Sequence, residues 1–214
     1  MHLSANELVG LLDRIGIVAF ALSGVEVGAR RRFDVFGLLV IGIVTATGGG
    51  LMRDVVLEQP PRVLERWDYL VWAAVASVAG IMLVAIGRRV QGWLLMVSDA
   101  AGLGAFATAG ALAGVHVNFP ATAVVVLAIL TATGGGVIRD VLADRVPMVL
   151  RTEVNATAAA IAGLVVYFVE PQSPGLAAIA GVAVAAGLRV ASMAMDLHLP
   201  RLKMEPTGES GDAE

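Results

Sequence analysis

The chain contains no cysteine. Disulfides, thiolate metal sites and cysteine nucleophiles are therefore excluded. Charge is scarce: Asp, Glu, Lys and Arg make up 15% of 214 residues, against about 25% in ordinary soluble domains. Basic charge is not in excess either. The net charge is -3, and Glu205, Glu209, Asp212 and Glu214 in the tail supply much of it. Nucleic acid recognition needs a basic face, so no nucleic acid partner is expected. No nucleophile–base arrangement, phosphate-binding loop or metal-ligand cluster can be marked. The sequence therefore implies neither an enzyme, nor a cofactor, nor a resident metal.

What the chain has in abundance is apolar surface. Hydrophobic residues make up 57% of it and the mean hydropathy is +0.82. A soluble domain of this length could not bury that much, so the chain falls in the membrane class. Seven apolar segments span roughly 8–28, 34–57, 69–86, 93–115, 119–142, 153–169 and 175–196. Most approach the ~20 residues that cross a bilayer as helix. The fold expected is all-α, with seven transmembrane helices. The first segment reads as a retained span, because it carries Asp13 and Arg14 and has no basic region before it.

One stretch occurs twice. Thr45-Ala46-Thr47-Gly48-Gly49-Gly50 runs into Leu51-Met52-Arg53-Asp54, and Thr131-Ala132-Thr133-Gly134-Gly135-Gly136 runs into Val137-Ile138-Arg139-Asp140. The spacing of 86 positions also relates Asp13 to Asp99, Gly16 to Gly102, Phe20 to Phe106, Gly24 to Gly110 and Pro61 to Pro147. The repeat covers about 8–86 and 94–172, three spans each, and the helix at 175–196 is an addition. Three spans per copy make the second copy enter the membrane from the opposite side, so the copies are inverted. Residues 1–199 form one transmembrane domain on this reading, and 200–214 a disordered cytoplasmic tail.

Loop charge sets the orientation. Arg30, Arg31, Arg32, Arg88, Arg89, Arg145, Arg151, Arg201 and Lys203 fall on one side, and only Arg62 and Arg66 on the other. The N-terminus is expected outside and the C-terminus in the cytoplasm, in a cell inner (plasma) membrane. Arg30, Arg31 and Arg32 fix this topology or meet anionic lipid heads.

Three glycines together disfavour a helix interior by about 1 kcal/mol each relative to alanine. Both triplets fall near the bilayer centre, about 10 Å or less apart in depth. Two readings follow. In one, the helices break there, and half-helix ends with Thr45, Thr47, Thr131 and Thr133 form a permeation or binding site. In the other, the glycines line a crossing where two helices touch. The Arg-Asp neighbours are expected to point apart on their helix. Depth then pairs Arg53 with Asp13 and Arg139 with Asp99, and leaves Asp54 and Asp140 nearer an aqueous path. Arg189 is a candidate for gating, or snorkels to lipid headgroups. Glu26 faces Leu112 in the repeat alignment and breaks its symmetry.

At these residues the chain resembles the prokaryotic trimeric intracellular cation (TRIC) channels, a family also labelled putative glycine transporters. The resemblance covers about 8–196. It implies a homotrimer of seven-helix protomers in the membrane lipid. Each would hold an hourglass pore bounded by the second and fifth spans, which kink at the glycines. It places Thr45, Thr47, Gly48, Gly49, Gly50, Thr131, Thr133, Gly134, Gly135 and Gly136 in the pore, with potassium permeant and sodium a weaker competitor. A secondary carrier for glycine or another small neutral amino acid fits the same features.

Overall fold

The computed structural model describes residues 5–87, 92–150 and 154–195. The tail at 200–214 lies outside the described residues, as do Arg88, Arg89, Arg151, Arg201 and Lys203. Among the described residues there are eight α-helices and one 3-10 turn, and no strand. The helices are α1 (Ala5–Arg30), α2 (Val35–Val56), α3 (Arg62–Glu65), α4 (Trp67–Ala85), α5 (Gly92–His116), α6 (Ala121–Leu142), α7 (Val154–Val169) and α8 (Pro174–Ala194). The 3-10 turn is Met148–Leu150.

Among the described residues, five helices, α1, α2, α4, α6 and α8, are long and apolar enough to cross a membrane, and α7 is apolar but has 16 residues. In hydrocarbon every backbone polar group must bond within the chain, which is why apolar runs of this length are helical. Large apolar side chains such as Phe36, Trp67, Trp72, Val75, Met82 and Phe168 stay exposed on the outer faces. Contiguous apolar exposure of that kind suits lipid and not water. The chain is a multi-pass membrane protein.

The helix ends repeat as faithfully as the helices. α1 ends with Arg32 in a left-handed conformation and α5 with Asn118. Phe33 N then donates to Gly28 O, and Phe119 N to Gly114 O, both at 3.1 Å. Glu58 and Asp144 take the same conformation after α2 and α6. There Gln59 N donates to Asp54 O at 2.9 Å and Arg145 N to Asp140 O at 2.8 Å. These six-residue closures satisfy carbonyls that a helix end leaves open. Asp34 caps α2 by accepting from Gly37 N at 2.7 Å, and Ser173 caps α8 ahead of Pro174.

Helices α1 and α5 form the centre. They pack on each other, α1 also on α2 and α4, and α5 on α6, α7 and α8. α1 has 72% of its apolar window buried, against 28–39% for the other four clear spans. Its Gly16, Gly24 and Gly28 explain how it fits. A methyl at Gly16 would lie 2.6 Å from the Phe106 ring, and one at Gly24 2.7 Å from Ile41 O.

The glycine triplets do not break their helices. α2 and α6 are continuous α-helix through Gly48, Gly49, Gly50 and Gly134, Gly135, Gly136. The half-helix ends expected as ligands are therefore absent from both. The physical reason lies in the α2–α6 crossing, where close backbone approach offsets the poor helix propensity of glycine.

Candidate ion pathway

At the crossing, the methyl absent from Gly49 would collide with Thr131 O, and that absent from Gly135 with Thr45 O. Gly48 and Gly134 sit under the tips of Ile138 and Met52, each 2.7 Å from where a methyl would stand. Only the third glycine of each triplet is uncrowded. Gly50 and Gly136 have just an arginine tip, Arg53 Nη2 or Arg139 Nη2, at 3.8 Å. Two glycines of three make the contact, and the third faces a cavity.

Two cavities flank this crossing. The first, about 20 Å³, is lined by Asp13, Ile17, Ala46, Thr47, Gly50, Leu51, Arg53, Asp54, Arg62, Val63, Tyr69 and Phe106. The second, about 30 Å³, is lined by Phe20, Asp99, Leu103, Ala132, Thr133, Gly136, Val137, Arg139, Asp140, Met148, Val149 and Asn155. Every residue of one has its counterpart 86 positions away in the other. Each has room for about one or two water molecules.

The phenylalanines are exchanged between the halves. Phe106 of the second repeat lines the first cavity, and Phe20 of the first repeat lines the second. Their rings meet edge to face, with centroids 5.1 Å apart at 79°. The aromatic pair therefore touches both cavities.

Four threonines divide into two classes. Thr45 and Thr131 are fully buried and donate to Ile41 O and Leu127 O of their own helices, so they line neither cavity. Thr47 and Thr133 also bond their own helix, to Ile43 O at 2.9 Å and Ile129 O at 2.8 Å. These two face the cavities, and their oxygens keep lone pairs for a ligand.

Around the first cavity the charges form one closed cluster. Arg53 grips Asp13 with both terminal nitrogens, at 2.7 and 3.0 Å. Its Nε donates to Asp54 Oδ1 at 2.9 Å. Asp54 Oδ2 accepts from the Arg62 amide at 2.9 Å, which pins the start of α3. The Arg62 side chain reaches within 3.5 Å of Asp13.

Around the second cavity the partners differ. Arg139 does not pair with Asp99. Its Nε donates to Asp140 Oδ1 at 2.9 Å and its Nη1 to Ser23 Oγ at 2.6 Å. Asp99 is taken by Arg189 of α8, whose Nε and Nη2 lie 3.2 and 3.1 Å from Oδ2. Arg189 is 5% exposed, so it is buried in the protein and does not snorkel outward. Arg189 lies on α8, outside both repeats, so depth within one repeat does not reveal it as the competitor for Asp99.

Two other expectations change. Adjacent Arg and Asp do bridge, at both copies. Their Cβ directions diverge, but an arginine is long enough to curl back to the next carboxylate. Asp54 and Asp140 are 1% and 2% exposed. They line the cavities, yet each is spent on its arginine and on a loop amide, Arg62 N or Met148 N. Glu26, also buried, accepts from Arg30 Nε at 2.9 Å.

Four buried side-chain atoms, Tyr69 Oη, Thr108 Oγ1, His116 Nε2 and Asn155 Oδ1, have no hydrogen-bond partner among the described residues, and two of them line the cavities. Tyr69 Oη belongs to the first cavity and Asn155 Oδ1 to the second. They too are 86 positions apart. Buried polar atoms are normally satisfied, so both point to a small polar guest. Sequence reading missed this pair, although the repeat spacing links the two positions. It also missed Ser23, whose counterpart is Ala109.

A larger space of about 380 Å³ adjoins the second cavity and shares Asp99, Arg139 and Met148 with it. Arg30, Arg31, Arg145 and Arg189 line it as well. Arg31 Nη2 donates to Asp144 O, which ties the two loops together. Arg32 lines a separate space with Glu26 and Arg30.

A family model described as glycine transporter matches residues 10–87 and again 96–171. The chain is 39% identical over 206 residues to UPF0126 inner membrane protein YadS of Escherichia coli (strain K12), covering 94% of this chain and 99% of that protein. Among solved structures, it is similar to one described in work on conductance through TRIC cation channels. That similarity has a TM-score of 0.84 at 36% identity, over 92% of this chain and 98% of the other. It is similar also to the TRIC trimeric intracellular cation channel orthologue from Rhodobacter sphaeroides. There the TM-score is 0.80 at 30% identity, over 88% of this chain and 98% of that one.

Proposed function

Because the chain belongs to the glycine transporter family and its solved relatives are TRIC cation channels, we propose that it is a monovalent cation channel. Potassium is the main permeant ion and sodium a weaker competitor. The observation that carries this reading is the pair of matched cavities, each with a threonine hydroxyl, an orphan polar atom and balanced charge. Asp13 and Asp54 offset Arg53 and Arg62 in one, while Asp99 and Asp140 offset Arg139 and Arg189 around the other. Neutralised arginines do not repel a cation, and oxygen atoms replace part of its hydration shell.

The path runs past Thr47 and Gly50, through the Phe20–Phe106 contact, and past Thr133 and Gly136. Thr45, Thr131, Gly48, Gly49, Gly134 and Gly135 frame it without lining it. On this reading the two repeats are inverted, seven helices cross the membrane, and three protomers assemble in the lipid, each with its own pore. The N-terminus lies outside, and the arginine loops face the cytoplasm.

Flux in proteoliposomes tests the proposal. A potassium gradient should generate a membrane potential without saturable uptake of labelled glycine. Saturable glycine uptake would favour the second reading, a carrier, which the family description supports. In that case the same cavities would hold a zwitterion.

A further inference from the structure

The two halves reach the same charge balance by different means. In the first, Arg62 is the second arginine beside Asp13, and it comes from the loop after α2. The counterpart of Arg62 is Met148, which carries no charge. Arg189 of α8 occupies the vacancy: its Nη2 lies 3.4 Å from Met148 Sδ and 3.1 Å from Asp99 Oδ2. The two aspartates are therefore not equally secured. Asp13 has Arg53 in a two-point grip with Arg62 behind it. Asp99 has Arg189 as its one ion-pair partner among the described residues, because Arg139 is held by Asp140 and Ser23.

Asp99 also keeps 17% of its side-chain surface, against 3% for Asp13. Around it lie two oxygens with capacity to spare. Asn155 Oδ1 is buried without a partner, and Thr133 Oγ1 donates to its helix but retains its lone pairs. Carboxylate, amide carbonyl and hydroxyl are the hard oxygen donors that suit a small inorganic cation. The adjoining 380 Å³ space, which Arg189 already lines together with Arg30, Arg31 and Arg145, has room for its displaced guanidinium, and the like charges there keep the arginine on Asp99 until a cation replaces it.

We propose that Arg189 is a tethered counter-ion occupying the place of a permeant cation, and that its withdrawal uncovers a monovalent cation site formed by Asp99, Thr133 and Asn155. The proposal rests on the cation reading given above. α8, the helix without a counterpart in the repeat, is then the element that controls one half of the path. Arg189 is a positioning residue in this scheme: the closed state has the arginine on Asp99, and the open state has potassium there.

The test compares Arg189→Gln with Arg62→Gln in the full chain. Thermal unfolding is followed in potassium chloride and in N-methylglucamine chloride at equal ionic strength. A cation that binds the folded state raises its midpoint by mass action. Wild type and Arg62→Gln should unfold at the same midpoint in both salts. Arg189→Gln should gain several degrees in potassium, and the gain should vanish in the double variant with Asp99→Asn. Arg189→Lys, which keeps the charge, should behave as wild type. In proteoliposomes Arg189→Gln should raise potassium flux about tenfold, within the usual range of coupling between two sites.

Equal midpoints for Arg189→Gln in the two salts would overturn the proposal, since Arg139 would then have swung to Asp99. A potassium gain in Arg62→Gln as large as in Arg189→Gln would overturn it as well. Wild-type flux unchanged in Arg189→Gln sinks this inference and leaves the channel. A variant stabilised by potassium that passes none supports the site and sinks the channel.

Discussion

The Asp13 half and the Asp99 half are built from one sequence motif, yet only the first closes its charges within itself. Asp13, Arg53, Asp54 and Arg62 all come from the first repeat. In the second, Arg139 borrows Ser23 from α1 and Asp99 borrows Arg189 from α8. The first half also has a further ion pair, Arg14 to Asp68 at 2.6 Å, where the second has Ala100 and Val154. Matching backbones thus carry unmatched electrostatics. A symmetric pair of cavities needs only a symmetric chain trace, whereas the partner of a long side chain is decided by whichever group reaches it first.

The sharpest way to probe this difference is to delete each motif arginine. Arg53→Met removes the two-point grip on Asp13 and leaves it only the longer 3.5 Å contact to Arg62, while Asp54 keeps only the Arg62 amide; it should cost about 3–5 kcal/mol, as broken buried pairs do. Arg139→Met should cost less, about 1–3 kcal/mol, because Asp99 keeps Arg189. Equal losses in denaturant titrations of the two variants would erase the comparison.

The crossing, by contrast, should behave symmetrically. Gly49→Ala and Gly135→Ala each drive a methyl into a carbonyl of the opposite helix. Each should lose about 2–3 kcal/mol through overpacking. Gly50→Ala and Gly136→Ala have space, and should gain up to about 1 kcal/mol from helix propensity. A loss at Gly50 as large as at Gly49 would show that the third glycine also belongs to the contact.

Smaller effects refine the picture. Ser23→Ala removes the acceptor of Arg139 Nη1 and should cost about 1.5–3 kcal/mol, the range for a bond to a charged group. Tyr69→Phe removes a hydroxyl without a protein partner. Its unfolding midpoint should move by no more than about 0.5 kcal/mol allows. A larger loss there would mean that a tightly held guest depends on the hydroxyl.

Much of the architecture was legible because it is written in spacing. Apolar length gave the membrane class, and the offset of 86 positions relates cavity linings, capping turns and the phenylalanine pair alike. The Asp13–Arg53 contact follows from depth within a single repeat. Asp99–Arg139 did not form, because its competitor Arg189 lies 90 positions away on a helix outside the repeat. The glycine triplets left a break and a crossing both open for a related reason, and the structure has the crossing. Propensity says glycine weakens a helix, but whether a helix breaks depends on what packs against it, and Thr131 O is invisible from Gly49 in sequence. The fully buried Thr45 and Thr131 were indistinguishable from Thr47 and Thr133 until helix rotation was known.

The exchanged phenylalanines bear on how such a chain is made. Phe20 rests on Gly102 and Phe106 on Gly16, so each repeat carries the plug that finishes the other. While the first three long helices emerge from the ribosome, the wall that Phe106 provides has not yet been synthesised. Maturation of both chambers must then wait for α5 and be completed together. The same reciprocity constrains evolution: a change of ring at one position calls for a change of glycine in the sister copy. The two halves differ in their charge partners, yet each is bound to the other in shape.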